Sequence, residues 1–346
     1  MPLRFHDFFE LCDFIQQSYN SNTNFMISIV IPIYNEEENL NLLYERLVKS
    51  SPTWGDDYEI ILVDDGSADR SLAMMRGFSD RNEHFKTIKL SRNFGHQAAI
   101  SAGLKYAKGD AVVIMDGDLQ DPPEELYRFL AKWREGYEVV YAIRTKRKEG
   151  FFKKAAYKIF YRLLGWVSEI EIPLDSGDFC VMDKKVVHTL LHKMPEQNRF
   201  VRGLRAYAGY KQIGVQYERD QRAAGEPKFT FSKLVELAID GLLDFSTFPL
   251  RMATYLGFLI AIPSFLMGIF FVFHRLLDFK VLGYSPQDTP GLATLAVGLF
   301  FLSGVMLIIL GIIGEYIGRI YKEVKRRPFF IVDELIERDK QEPILK

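Results

Sequence analysis

Apolar and polar positions alternate in blocks along the first half of the chain. "MISIVIPIYN" (26–35) is a short, β-branched apolar run closed by Pro and Asn, a pattern that predicts a buried strand. "EEENLNLLYERLVKS" follows, with acids in its first turn and Leu40, Leu43 and Leu47 at helical spacing. "YEIILVDDGSADRSLAMMRGF" repeats the order of strand, acidic turn and helix. "FKTIKLSRNFGHQAAISAGLKYAKGD" does so again, and "AVVIMDGDLQDPPEELYRFLAKW" makes a fourth unit. "YEVVYAIRTKR" predicts one more strand, ending in a basic cluster. Strands alternating with helices predict an α/β, doubly wound, mostly parallel sheet, with ligand groups at the C-terminal ends of its strands. Acids stand at those ends: Glu36, then Asp64 and Asp65, then Asp116 and Asp118.

The second half has a different pattern. "FFKKAAYKIFYRLLGWV" (151–167) sets Phe152, Ala156, Ile159, Phe160, Leu163 and Leu164 on one helical face among Lys153, Lys154, Lys158 and Arg162. A basic amphipathic helix of this kind suits an anionic membrane surface. "FTFSKLVELAIDGLLDFSTF" (229–248) is a second amphipathic stretch. From Met252 to Phe273, and again from Thr289 to Gly314, there is no Asp, Glu, Lys or Arg. A helix crosses a bilayer with about 20 mostly apolar residues, so the two runs predict a transmembrane hairpin. Arg319, Lys322, Lys325, Arg326 and Arg327 follow the second run, while the loop between the runs holds only Arg275 and Lys280. This asymmetry predicts a cytoplasmic α/β domain and an outward-facing loop.

Composition narrows the partners. The formal net charge is −1, which makes nucleic acid a poor partner. Cys12 and Cys180 are too few and too isolated for a disulfide framework or a thiolate metal site. Residues 1–25 lack the basic start and continuous apolar core of a signal peptide and predict an appended segment.

The chemistry gathers in "VVIMDGDLQDPPEEL" (112–126), where Asp116, Asp118 and Asp121 follow a run of apolar β-formers. Carboxylates so close repel one another unless a positive charge sits among them. Asp116-Gly117-Asp118 supplies two hard oxygen ligands with no His or Cys in that stretch, which selects Mg²⁺ or Mn²⁺ over zinc. Mg²⁺ held by one or two carboxylates usually completes its shell with substrate phosphates and water. Asp64 and Asp65 either cap the following helix, as Ser67 also could, or reach a ligand's base or ribose. Pro32 and Tyr34 either punctuate the first strand or offer a surface for a nucleobase.

"SIVIPIYNEEENL", "EIILVDDGSADRS", "LSRNFGHQAAISAGLKYAKGD" and "VVIMDGDLQDPPE" together resemble the family 2 glycosyltransferases. More narrowly they resemble the polyisoprenyl-phosphate group, which contains bactoprenol glucosyltransferases and dolichol-phosphate mannose synthases. The likeness runs over roughly residues 26–330. It implies a GT-A fold, a nucleotide-diphosphate sugar donor, a divalent metal and a polyisoprenyl-phosphate acceptor. By resemblance, Pro32, Tyr34, Glu36, Asp64 and Asp65 hold the nucleoside, and Asp116, Asp118 and Gln120 hold the metal and its diphosphate. Arg144 matches an arginine near the phosphates. "LDSGDFCVMDKK" (174–185) matches an active-site loop, with Asp178 beside the acceptor as an orienting or weakly basic group. Dolichol-type enzymes often read Ser-Gly-Phe-Arg there; Gly177-Asp178-Phe179-Cys180 favours the bacterial branch. In "QRAAGEPKFTFSKL", Arg222 and Lys228 match cations that reach the acceptor phosphate, while Pro227 replaces a usual serine.

The resemblance divides the chain into an N-terminal extension (1–25), a GT-A catalytic domain (26–228) and an interfacial amphipathic helix (229–250). Two transmembrane helices (251–275 and 291–314), an extracytoplasmic loop (276–290) and a cytoplasmic basic tail (315–346) follow. The implied reaction is inverting transfer of a hexose, favouring glucose from UDP-glucose, to undecaprenyl or another polyisoprenyl phosphate. GDP-mannose and an aminoarabinose derivative stay open as donors. A processive polysaccharide synthase would carry a Q-x-x-R-W-type motif and more spans, and neither is seen. A non-enzymatic scaffold would not need the intact acidic turns. Two helices leave lipid-facing surface on which protomers can pair.

Overall fold

The computed structural model describes residues 25–55, 57–144, 176–196, 199–218, 248–277, 291–338 and 340–343. The amphipathic stretch 151–167, nearly all of 229–250, and Arg222 and Lys228 lie outside the described residues.

Four parallel strands form the centre of the sheet: β1 (Met26–Ile33), β2 (Asp57–Asp64), β3 (Phe85–Leu90) and β4 (Ala111–Ile114). They are connected through the helices α1 (Glu37–Ser50), α2 (Ser71–Arg81) and α3 (His96–Tyr106). Their side chains alternate between two cores, as the period-two geometry of a strand requires. Ile27, Ile29, Ile31 and Ile33 of β1 join Leu40, Leu43 and Leu47 of α1 on one face. Val30, with Ile61 and Val63 of β2, joins Ile100 and Leu104 of α3 on the other. A sheet covered on both faces has near-continuous apolar strands, which is why these segments read so clearly in the sequence.

The remaining elements extend the sheet both ways. After α4 (Leu126–Arg134) come β5 (Val139–Arg144), β6 (Ser176–Asp183), α5 (Lys184–His192), α6 (Val201–Tyr207) and β7 (Gln212–Tyr217). Two long helices follow, α7 (Phe248–Leu277) and α8 (Gly291–Lys325), and then β8 (Val332–Glu337) and β9 (Lys340–Pro343). The order across the sheet is β7-β5-β6-β4-β1-β2-β3-β8-β9. The expected parallel arrangement therefore describes the centre, while β6 runs antiparallel to β4 and β5, and β8 antiparallel to β3.

Residues 332–337, grouped from the sequence with a basic tail, are a strand of the sheet, fastened by ion pairs. Arg76 meets Glu334 at 2.5 Å, Lys89 meets Asp333 at 2.5 Å, and Lys86 bridges Glu337 at 3.3 Å and the buried Glu59 at 2.8 Å. A short acidic strand behind a long apolar helix has no strong hydrophobic alternation to announce it.

At 35 residues α8 is about 52 Å long. Among the described residues one stretch is long and apolar enough to cross a membrane, Phe301–Lys325, and none of it is buried. Met252–Met267 of α7 is a shorter apolar stretch. Both helices expose large apolar side chains, among them Phe258, Leu259 and Phe265 on α7 and Leu299, Leu307 and Ile308 on α8.

Candidate active site

The C-terminal ends of β1, β2 and β4 meet at one edge. Pairing Ile33 with Asp64 brings the β1 and β2 loops together, and side chains cross-link them. The Asn35 N–H donates to Ser67 Oγ at 3.0 Å, the Glu36 N–H to Ser71 Oγ at 2.9 Å, and the Ala68 N–H to Asn35 Oδ1 at 2.8 Å. Tyr34 stays exposed at the rim and Pro32 is buried at the end of β1. Glu36 Oε2 accepts from Asn39 Nδ2 at 2.7 Å.

Asp64 and Asp65 are both buried. Asp64 Oδ1 accepts the Ser67 N–H at 3.1 Å. Asp65 accepts from two backbone amides, Phe94 at 2.7 Å and Gly95 at 3.0 Å, so it fixes the turn that starts α3. Neither caps α2, whose start carries no side-chain cap, so the capping alternative is not what the fold uses. Gly66 is required here: its φ is +70°, and a Cβ would lie 2.6 Å from the Asn93 nitrogen.

The Asp116-Gly117-Asp118 turn leaves β4 and lies against β1. A Cβ on Gly117 would come within 2.4 Å of Ile33 Cδ1 and 3.4 Å of the Pro32 carbonyl oxygen. Close approach, rather than an unusual backbone angle, is what demands glycine at 117. The left-handed residue is Leu119, at φ 62°, whose side chain is buried. Asp118 Oδ1 accepts the Gln120 N–H at 3.1 Å. Asp121, the third acid of the stretch, turns inward: Tyr217 Oη on β7 donates to it at 2.5 Å, which gives it a structural role.

Register explains how Asp178 reaches the site. β6 pairs antiparallel with β4, Ile114 opposite Cys180. Counting two residues on, past the end of β4, brings Asp116 level with Asp178. Between them is His96, the first residue of α3, with Nε2 at 3.6 Å from Asp116 Oδ1 and 3.6 Å from Asp178 Oδ2. Arg202 of α6 closes on Asp178 from the other side, Nη2 at 3.3 Å and Nε at 3.4 Å from Oδ1. Arg205, one turn along, is buried with its guanidinium 5.5 Å from the Tyr141 ring. Arg144 ends β5 opposite Tyr217.

The charges balance unequally. Burial alone would favour a neutral Asp178, but Arg202, the His96 ring and Arg205 outweigh it and hold the carboxyl well below the usual range. Burial, added to the fields of Asp121, Asp178 and Asp118, pushes Asp116 up to about 7 against the pull of His96. His96 is raised to about 9: burial disfavours its charge, yet the hydrogen bond to Asp178 and the fields of Asp116, Asp178 and Asp65 prevail.

A raised histidine contributes stability that is complete below its unfolded value near 6.5 and is lost as pH climbs through about 9. The ring is 45% exposed, so water screens it and the contribution is discounted to about 1 kcal/mol. The wild-type chain should thus lose about 2–4 °C more in melting temperature than His96→Gln between pH 6.5 and pH 10. Parallel melting curves would refute the coupling.

His96, Arg202 and Arg205 went unnoticed in the sequence. The signal for His96 was its place after the glycine of a strand–helix turn; for the arginines, it was their helical spacing in "RFVRGLRAYAGY". Among the described residues, no three Asp, Glu, His or Cys side chains come together as a ready-made metal shell. The donor set nevertheless fits a divalent ion of the Mg²⁺ type, which takes one or two carboxylates and fills its shell from a diphosphate and water. Asp116, penalised by its acidic neighbours, is the carboxylate such a charge would relieve.

Residues 28–191 match the family described as Glycosyl transferase family 2. The chain is 46% identical over 306 residues to an uncharacterized glycosyltransferase, YkcC, of Bacillus subtilis (strain 168), covering 88% of this chain and 92% of that one. It is 38% identical over 307 residues to a bactoprenol glucosyl transferase of Shigella phage SfII, covering 88% and 97%. Among solved structures it is similar to glucosyl-3-phosphoglycerate synthase from Mycobacterium tuberculosis, at 18% identity and TM-score 0.45 over 67% of this chain and 84% of that one. With an acidic sheet edge of this build, and glycosyltransferases matching it along most of its length, the chain is itself a glycosyltransferase and belongs to glycosyl transferase family 2.

Proposed function

We propose that the chain transfers glucose from UDP-glucose to a polyisoprenyl phosphate at the cytoplasmic face of a membrane, with inversion at the anomeric carbon. The observation that carries this reading is the presence, in one chain, of a partly buried acidic site at a parallel-strand edge and an exposed apolar helix, Phe301–Lys325, long enough to span a bilayer. The likeness to a bactoprenol glucosyl transferase over 97% of that protein's length supports the sugar and the lipid.

The nucleoside lies against Pro32, Tyr34 and Glu36, on a rim braced by Asp64 and Asp65. Asp116, Asp118 and Gln120 hold Mg²⁺ or Mn²⁺, which when bound supplies positive charge to the diphosphate. Arg144 lies near the phosphates. In one displacement an acceptor phosphate oxygen forms its bond to the anomeric carbon while the bond to the diphosphate oxygen breaks, and the electron pair leaves with the nucleoside diphosphate. A phosphate monoester has its second pKa at about 6, so the nucleophile arrives already anionic. Little base catalysis is needed, and Asp178, paired with Arg202 and His96, orients rather than deprotonates. Arg222 and Lys228 attract the lipid phosphate.

The test is to incubate membranes containing the chain with undecaprenyl phosphate and labelled UDP-glucose or GDP-mannose, with and without EDTA. Label from UDP-glucose should enter the lipid fraction, and EDTA should lower the rate by about 10²-fold or more. Label entering from GDP-mannose alone would reassign the donor, absence of lipid label from either would overturn the acceptor, and indifference to EDTA would overturn the metal.

A further inference from the structure

The turn that delivers His96 runs from the end of β3 through Ser91–Gly95 into α3, and Ser91, Arg92 and Asn93 are exposed. Asp65 holds it from beneath through the Phe94 and Gly95 amides. On the α6 side the Val201 N–H donates to Gln97 Oε1 at 3.0 Å, tying the helix of Arg202 to the first turn of α3. The outer side is held by the segment that follows α8. There the Ser91 N–H donates to the Ile331 carbonyl at 3.0 Å, and Leu90 pairs with Val332. Phe330 lies 5.7 Å from Lys105 Nζ on α3.

One residue in that segment breaks the strand pattern. The register steps from Lys89 opposite Glu334 to Leu90 opposite Val332, so Asp333 is an extra residue in β8. Such bulges redirect a side chain, and Asp333 is directed onto Lys89 Nζ at 2.5 Å, two residues before the turn begins. Arg76 with Glu334 is an ion pair of the same kind from the neighbouring position of β8, but it reaches α2 and does not touch the turn.

We propose that the segment leaving the long apolar helix is part of the active-site scaffold: Phe330–Asp333 holds the Ser91–Gly95 turn, and through it places His96 between Asp116 and Asp178, making Asp333 a positioning residue for transfer. Lys89 and Asp333 are 32% and 39% exposed, and a pair that exposed contributes little to folding. Misplacing an active-site group by about 1 Å, in contrast, lowers a rate by up to about 10²-fold. The two kinds of effect are therefore separable.

The experiment uses the full chain in detergent with ¹³C-labelled histidine, the His96 resonance being the one lost in His96→Gln. Asp333→Ala should move that resonance and lower kcat by about tenfold, with KM for UDP-glucose within about twofold and the melting temperature within about 2 °C. Glu334→Ala should leave resonance and kcat unchanged, and the exchanged pair Lys89→Asp with Asp333→Lys should restore both. The rate arm rests on the proposed lipid transfer and the resonance arm does not. A chain that transfers nothing yet moves its His96 signal in Asp333→Ala overturns the lipid reading and upholds this one. An unmoved signal, equal effects of Asp333→Ala and Glu334→Ala, or a melting temperature that falls in step with kcat overturns the positioning role.

Discussion

Asp116→Asn should lower sugar transfer by about 10³-fold while leaving the chain folded and at least as stable as the wild type. The substitution keeps the shape of the side chain and removes its charge. That charge is a burden in the free protein, since burial and the neighbouring carboxylates of Asp121, Asp178 and Asp118 lift the Asp116 carboxyl to about 7. A charge that the fold resists and the reaction requires is the signature of a group kept for its ligand. Initial rates of label transfer, read beside melting curves at pH 8, check the two halves together. Transfer within tenfold of wild type would remove Asp116 from the metal site, and a large drop in melting temperature would make it a structural residue.

Asp178→Asn should also lower transfer, but with the opposite sign on stability. Here the carboxylate is what its surroundings need. Arg202 lies at 3.3 Å, His96 at 3.6 Å, and the buried Arg205 contributes from behind. Removing one member of a partly buried ion pair leaves the others uncompensated; with Asp178 and Arg202 16% and 25% exposed, the cost is about 1–2 kcal/mol, which lowers the melting temperature by about 2–6 °C. Transfer should fall by at least about 10²-fold, because Arg202 and His96 lose the anchor that orients them. Equal stability of Asp116→Asn and Asp178→Asn would contradict the division of labour drawn between the two carboxylates.

The parts of this site that could be read in the sequence are the parts made locally. Asp116 and Asp118 follow five apolar residues, Ala111–Met115, just past the end of a strand, so two adjacent signals located them. The central strands were legible for the same reason: with both faces covered, β1 and β2 are apolar almost throughout. Asp178 came from resemblance, since its encounter with Asp116 depends on an antiparallel pairing between segments more than sixty positions apart. His96, Arg202 and Arg205 are each ordinary in their own neighbourhood and acquire meaning only through that pairing. Asp65 was legible only in part. An acidic pair at a strand end suggested ligand contact, and the fold adds a role that the sequence did not announce: the Asp65 oxygens accept the amides of Phe94 and Gly95 and so fix the turn before His96. β8 was hidden because "VDELIE" is short and acidic: Ile336 is buried and Val332 and Leu335 pack on the core, but the bulge at Asp333 breaks the alternation that would have announced them.

The pairing of β4 with β6 carries a consequence for how such a chain can vary. Facing residues on two strands are addressed by counting, and side chains swap faces at every step. One residue gained or lost between Ile114 and Asp116, or between Asp178 and Cys180, would turn a carboxylate into the core however conservative the letters around it. The same arithmetic governs β5, which lies between the two strands in the sequence and pairs with both β6 and β7. A change of length inside Val139–Arg144 would therefore misalign two neighbours at once.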